Sequence, residues 1–156
     1  MKLIGKNEEI LMTSSKDKSL LKWDLQNQKR IGAYVQKMGG INSFDVLNND
    51  FCIIVGQDKK INFTNGNKLI KSVDTSSFKS YQDECMSLCV SKSGTFFVTG
   101  GTEKSVKVWN IVNGSLLFEG KGGHSSTINI VQISDNDKQI ISGGKDGNIL
   151  IWDLYM

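Results

Sequence analysis

The sequence predicts an all-β, antiparallel and repetitive fold, on three observations. Short runs rich in Val, Ile, Phe and Leu, such as FCIIVG, INIVQIS, FFVTGG and NILIW, are separated by clusters of Gly, Asn, Asp and Ser, the pattern of strands divided by turns. No segment keeps a 3.6-residue apolar period long enough for a helix. One stretch recurs four times: SSKDKSLLKWDL from residue 14, GQDKKINFTNGN from 56, GGTEKSVKVWNI from 100 and GGKDGNILIWDLYM at the end. The copies align on an acid, Asp17, Asp58, Glu103 or Asp146, and on the residue six positions later, Trp23, Thr64, Trp109 or Trp152. Spacings of 41, 45 and 43 between those later residues match the length of a four-stranded repeating unit.

Each copy divides into strands a, b, c and d. Copy one begins inside its own strand a, because Leu3-Ile4 align with Gln132-Ile133. Copy two runs over 41–73. Copy three is expected to place its strands at 86–91, 95–99, 105–109 and 115–119, and copy four at 128–134, 139–143 and 148–152, with no strand d. Turns are expected at Ser93-Gly94, Asn65-Gly66, Asn113-Gly114 and Asp146-Gly147, where residues tolerating positive φ are needed between apolar runs. The repeat units so defined are 1–38, 39–80, 81–120 and 121–156.

These residues resemble the WD40-repeat family. The resemblance implies a β-propeller and makes this chain the C-terminal part of a larger seven- or eight-bladed ring, with about four blades, the first and last incomplete. In such rings an upstream strand completes the last blade, and the edge of strand c from Asn148 to Leu154 is expected to receive it. An uncovered apolar edge would otherwise invite aggregation. The runs KMGGINSF, VGQDKKI, FVTGGTEKSVKVWN and GGHSSTINIVQIS look most like propellers of cilia- and flagella-associated proteins of axonemal microtubules.

Composition narrows the function classes. Formal net charge is +3, with one Arg among nineteen basic residues, so nothing imposes a nucleic-acid partner. Apolar stretches stay well below the ~18 residues of a membrane span, and MKLIGKNEEI has no apolar signal core; no membrane partner is expected. The three cysteines, Cys52, Cys85 and Cys89, give no pairing framework. On one regular strand Cys85 and Cys89 would share a face roughly 13 Å apart, too far to hold one ion or a disulfide. All three are expected to be buried thiols in a reducing compartment.

His124 is the only histidine. Pairing it with Ser125 or Ser126 for nucleophilic chemistry lacks an orienting acid and an oxyanion site. The family resemblance implies instead a buried structural tetrad of His124, Ser142, Asp146 and Trp152, in which Asp accepts from the imidazole, the imidazole meets the hydroxyl, and the hydroxyl reaches the indole N–H. Other copies keep parts of it: Thr13, Asp17 and Trp23 in the first, Asp58 in the second, and Thr99, Glu103 and Trp109 in the third. Only the last copy can form the whole network, and its neighbours are expected to rely on apolar packing.

Three further motifs carry no chemistry. GGTEKS has the wrong glycine spacing for a phosphate loop and runs into a strand. DNDKQIISGGKDG has Ile140 where a calcium loop needs glycine. The Trp and Phe positions recur at strand period and are packing residues before they are base platforms. No cofactor or metal is expected.

What remains is surface. In the family the b–c turns and d–a connections emerge on one face of the ring. Here those turns carry Lys16, Lys18, Lys59, Lys60, Lys104 and Lys145, while the opposite face collects Glu8, Glu9, Asp50, Asp135 and Asp137. Asp-Lys is an ordinary tight-turn pair, and a basic face could equally dock acidic protein segments by long-range attraction. With no reactive constellation, the function expected is a non-catalytic protein–protein interaction scaffold. The resemblance places it in a ciliary, axonemal microtubule-associated complex of the cytoskeleton, with tubulin, other axonemal proteins and the remainder of the propeller as partners. The alternatives are an adaptor or substrate receptor of another assembly such as a ubiquitin ligase and, behind that, a propeller enzyme.

Overall fold

Fifteen strands and no helix make up the described part of a computed structural model, which covers residues 1–5, 7–48, 50–75 and 83–155. The chain divides into two compact units, Met1–Asp74 and Thr75–Met156.

In the first unit, β1 (Lys2–Ile4), β2 (Ile10–Ser14), β3 (Ser19–Asp24) and β4 (Lys29–Val35) form one antiparallel sheet in chain order. A second sheet follows: β5 (Ile41–Val46), β6 (Phe51–Gly56), β7 (Lys60–Asn65) and β8 (Lys68–Asp74). Their core joins Met12, Leu20 and Tyr34 of the first sheet to Ile41, Phe44, Cys52 and Ile54 of the second.

In the second unit, β9 (Cys85–Val90), β10 (Phe96–Gly101), β11 (Val106–Asn110) and β12 (Leu116–Gly120) form a four-stranded sheet. The last sheet has three strands, β13 (Ile128–Ile133), β14 (Gln139–Gly144) and β15 (Ile149–Asp153). Val98, Val106 and Val108 of one sheet meet Ile128, Val131 and Ile140 of the other, all fully buried. Polar links cross the same seam. The Val131 N–H donates to Ser87 Oγ at 3.0 Å, and the Asp137 carboxylate accepts from the Lys92 and Ser93 N–H groups at 2.9 and 2.8 Å.

The expected strands are present, with ends moved by one or two residues. Among the described residues the first sheet starts on a three-residue strand and the last has three strands. The expected boundary between copies two and three, at 80/81, lies outside the described residues.

A recurrent irregularity accounts for several shifts. Strand a carries a bulge at Ile41/Ser43, opposite Gly100/Gly101 and at Ile128/Ile130. The glycines there, Gly56 and Gly101, admit a carbonyl so closely that a Cβ would sit 2.1 Å from the oxygen of Gly40 or Glu84.

That bulge corrects the reading of the cysteines. Cys85 pairs with Gly101 and Cys89 with Val98; Gly101 and Val98 are three residues apart on a strand and so face opposite ways. The two thiols therefore do not share a face. Cys52 and Cys85 are buried, and burial pushes their thiols up to about 11 and about 12. Cys89 is only half-buried, with its sulfur 3.7 Å from Gln132 Oε1, contrary to the expectation that all three are buried.

Candidate interaction surface and its buried polar networks

At one end of each sheet a b–c turn meets the chain entering strand a. In the first unit Ile41 N–H donates to Ser15 O at 3.2 Å, Gln36 N–H to Lys18 O at 2.9 Å and Gln57 N–H to Gly40 O at 3.0 Å. In the second, Thr102 N–H donates to Glu84 O at 3.1 Å and Lys145 N–H to Thr127 O at 2.8 Å. The acid of each repeat lies in that turn, and in the last sheet its carboxylate bonds both segments.

In the last sheet the His124 imidazole bridges the other two polar side chains, with Nδ1 3.0 Å from Asp146 Oδ2 and Nε2 2.8 Å from Ser142 Oγ. The Trp152 indole N–H completes the chain by donating to Ser142 Oγ at 2.8 Å. Backbone N–H groups of Ser125 and Asn148 also donate to Asp146, at 2.8 and 3.1 Å. Burial opposes ionisation of Asp146, but the hydrogen bonds from Asn148, Ser125 and His124 outweigh it and pull its pKa to about 2. The His124 and Asp146 side chains are 0% and 4% exposed, and Ser142 is fully buried with its oxygen held from two sides.

The other sheets do not depend on apolar packing alone, which corrects the sequence expectation. In the second sheet Asn62 donates to Gln36 Oε1 at 3.0 Å and to Asp58 Oδ2 at 2.7 Å, while Ser72 Oγ bonds the Asn62 carbonyl oxygen. Burial raises the Asp58 pKa despite those bonds. Gln36 stands 22 residues before Asp58, as His124 stands before Asp146; that offset was the signal in the sequence. The corresponding residue of copy three, Tyr81, lies outside the described residues.

In the third sheet buried Lys107 pairs with Glu103 and lies 3.7 Å from Glu119, which also meets Lys121 at 2.9 Å and Ser105 Oγ at 3.3 Å. Burial works against the Glu119 charge, yet Lys121 and Lys107 bring its pKa below the ordinary value. Lys107 and Asn62 occupy the same repeat position, four residues after the acid, where Leu21 and Leu150 stand in the outer copies.

The hydroxyl–indole pair persists in two more sheets: Trp109 donates to Thr99 at 2.8 Å and Trp23 to Thr13 at 3.2 Å. In the first, the Asp17 carboxylate accepts from Ser19 N–H and Oγ at 2.9 and 2.6 Å, which lowers its pKa. In the second sheet Ile54 replaces the hydroxyl and Thr64 the indole, and the Thr64 hydroxyl is buried without a partner.

The turn lysines divide by role. Lys18, Lys59 and Lys104 are left-handed, with φ of 76, 60 and 63°, and Gly147 holds the same repeat position at 78°. Lys16, Lys18, Lys104 and Lys145 are exposed and Lys59 is half-buried. Lys60 belongs to strand β7, with its ammonium 3.6 Å from Asp74. Among the described residues no cluster of three or more His, Cys, Asp or Glu could hold a metal ion, and no helix is long and apolar enough to cross a membrane.

Residues 71–110 and 115–153 match the family described as WD domain, G-beta repeat. The chain is 28% identical over 155 residues to cilia- and flagella-associated protein 52 of Chlamydomonas reinhardtii, an alignment covering 98% of the chain and 24% of that protein. It is 32% identical over 155 residues to the protein of that name from Sus scrofa, covering 96% and 24%. A shorter match, 44% over 57 residues, is to small ribosomal subunit protein RACK1y of Oryza sativa subsp. japonica, covering 36% of the chain and 17% of that protein. The chain thus spans about a quarter of the length of its ciliary relatives. With two repeats matched over more than half its length and four antiparallel sheets in the same pattern, the chain belongs to the WD40 repeat family.

Proposed function

We propose that this chain is part of a non-catalytic interaction scaffold in a ciliary, axonemal microtubule-associated complex. The observation that carries the proposal is that similarity to the two cilia- and flagella-associated proteins extends over 96–98% of the chain. The ribosomal-subunit match covers 57 residues and therefore speaks for the repeat more than for an assembly.

The scaffold reading also fits the chemistry of the turn networks. Asp146, His124, Ser142 and Trp152 spend their hydrogen-bonding capacity on one another, and a fully buried Ser142 offers no approach to a substrate. Their role in this reading is to brace the turn against the segment entering strand a, as Gln36 and Asn62 do in the second sheet. A rigid turn presents its exposed side chains at low entropic cost on binding.

The test is localisation. Tagged at its own locus, the intact polypeptide should remain with the axoneme when cilia are stripped with detergent. Release into the soluble fraction, or absence from cilia, would refute the axonemal assignment.

A further inference from the structure

We infer that the end of the first unit bearing the β2–β3 and β6–β7 turns is a docking platform for an acidic protein segment with an aliphatic residue among its carboxylates. This rests on the scaffold reading and names the partner chemistry for one part of it.

Three observations converge. First, Lys18 and Lys59 hold left-handed backbone, φ 76 and 60°, which costs an L-residue conformational energy that glycine avoids. The last repeat meets the same need with Gly147 at 78°. The turn therefore does not require lysine, and strain retained at equivalent positions points to use of the side chain.

Second, the two turns are locked together. Gly39 and Gly40 pass between them so tightly that a Cβ on Gly40 would lie 2.9 Å from Lys16 Cα, and one on Gly39 2.8 Å from Asp58 N. Gly40 N–H donates to Gln57 Oε1 at 2.9 Å, and the Gln36 amide donates to the carbonyls of Met38 and Gly39 at 2.8 and 3.1 Å. Lysines on so braced a backbone need less ordering when they bind.

Third, the carboxylates are engaged while an apolar side chain stands out. Asp17 accepts from Ser19 and Asp58 from Asn62, whereas Met38, beside the glycine pair, is 73% exposed. A thioether adapts to an aliphatic neighbour, whereas sequence-tolerant nucleic-acid binding relies on aromatic or guanidinium stacking. Charge steers the partner in and Met38 adds contact that charge alone does not.

Fluorescence anisotropy of a labelled oligoglutamate peptide with a central leucine, titrated with the intact polypeptide, tests this. Lys18→Gly with Lys59→Gly keeps the turn geometry and removes two charges; affinity should fall about tenfold, as for two exposed ion pairs. Met38→Ser should weaken binding severalfold, and added salt should weaken it further. Unchanged affinity in the double glycine variant, with unfolding no worse than the parent, would overturn the inference. Equal affinity for a single-stranded RNA, insensitive to Met38→Ser, would overturn it in favour of a general polyanion surface. If the peptide fails while the polypeptide still stays with axonemes, the platform falls and the scaffold reading stands.

Discussion

Replacing Thr64 with valine should make the protein more stable, although it removes a hydroxyl from a buried polar residue. Thr64 is 0% exposed, and its oxygen has no hydrogen-bond partner. The cause is the repeat. Where Trp23, Trp109 and Trp152 find Thr13, Thr99 and Ser142, Thr64 finds Ile54 at the corresponding place on β6. An unpaired buried hydroxyl costs about 1–3 kcal/mol, and valine has nearly the same shape, with a methyl that gains up to ~0.8 kcal/mol from burial. Allowing for imperfect packing, the net gain should be about 1–2 kcal/mol. For a unit of this size, each ~1 kcal/mol raises Tm by about 4–8 °C. Urea unfolding followed by tryptophan fluorescence should show a higher midpoint at constant slope for the first unit, whose one tryptophan is Trp23. The paired control is Thr99→Val, the same chemical change where Trp109 loses its acceptor at 2.8 Å; it should cost about 1–3 kcal/mol. If both variants shifted the same way, the assignment of hydroxyl partners from the repeat would be wrong.

Three other outcomes are expected. Lys107→Leu introduces the residue found in the outer copies as Leu21 and Leu150, yet should cost about 2 kcal/mol because it strands the largely covered Glu103 carboxylate; adding Glu103→Gln should recover most of the loss in urea unfolding. Gly56→Ala would drive a Cβ to 2.1 Å from the Gly40 carbonyl and should cost about 3 kcal/mol or more, whereas Gly66→Ala, at φ 57° with open space around it, should cost only about 1 kcal/mol in the same assay. Because Asp146 titrates near 2 against an ordinary 3.8, its contribution is present above the unfolded value and lost as pH falls from about 4 through about 2; thermal melts of Asp146→Asn over that interval should show a flatter slope than the parent, and parallel slopes would contradict the assignment.

The strands were legible because alternation and turn residues are local signals that the chain writes directly. The bulges were not. Their extra residue is set by a carbonyl approaching Gly56 or Gly101 from the chain entering strand a, a contact between segments far apart in sequence, and missing it reversed the side on which Cys85 sits. The residues of the tetrad could be picked out by likeness to repeat positions. Lys107 and Asn62 escaped for the complementary reason: a lysine or asparagine in a strand reads as its solvent side until the partner carboxylate, Glu103 or Asp58, is placed beside it. The offset of Gln36 from Asp58, the same as that of His124 from Asp146, was visible, but an amide does not advertise itself as the counterpart of an imidazole.

The seam of the second unit has a consequence for how that unit comes apart. Because the Val131 amide is held by a side chain of the preceding sheet, and the Lys92 and Ser93 amides by a carboxylate of the following one, each sheet secures amides of the other, at two separate points along the seam. Fraying of the three-stranded sheet alone would strip the apolar cover from Val98, Val106 and Val108 and free Lys92 and Ser93 in the same event. The smallest piece able to open independently is then larger than the repeat that built it. Amide hydrogen exchange at Val131 should accordingly follow the slow rate of β9 and β10, so that repeats copied one at a time in sequence are lost two at a time in unfolding.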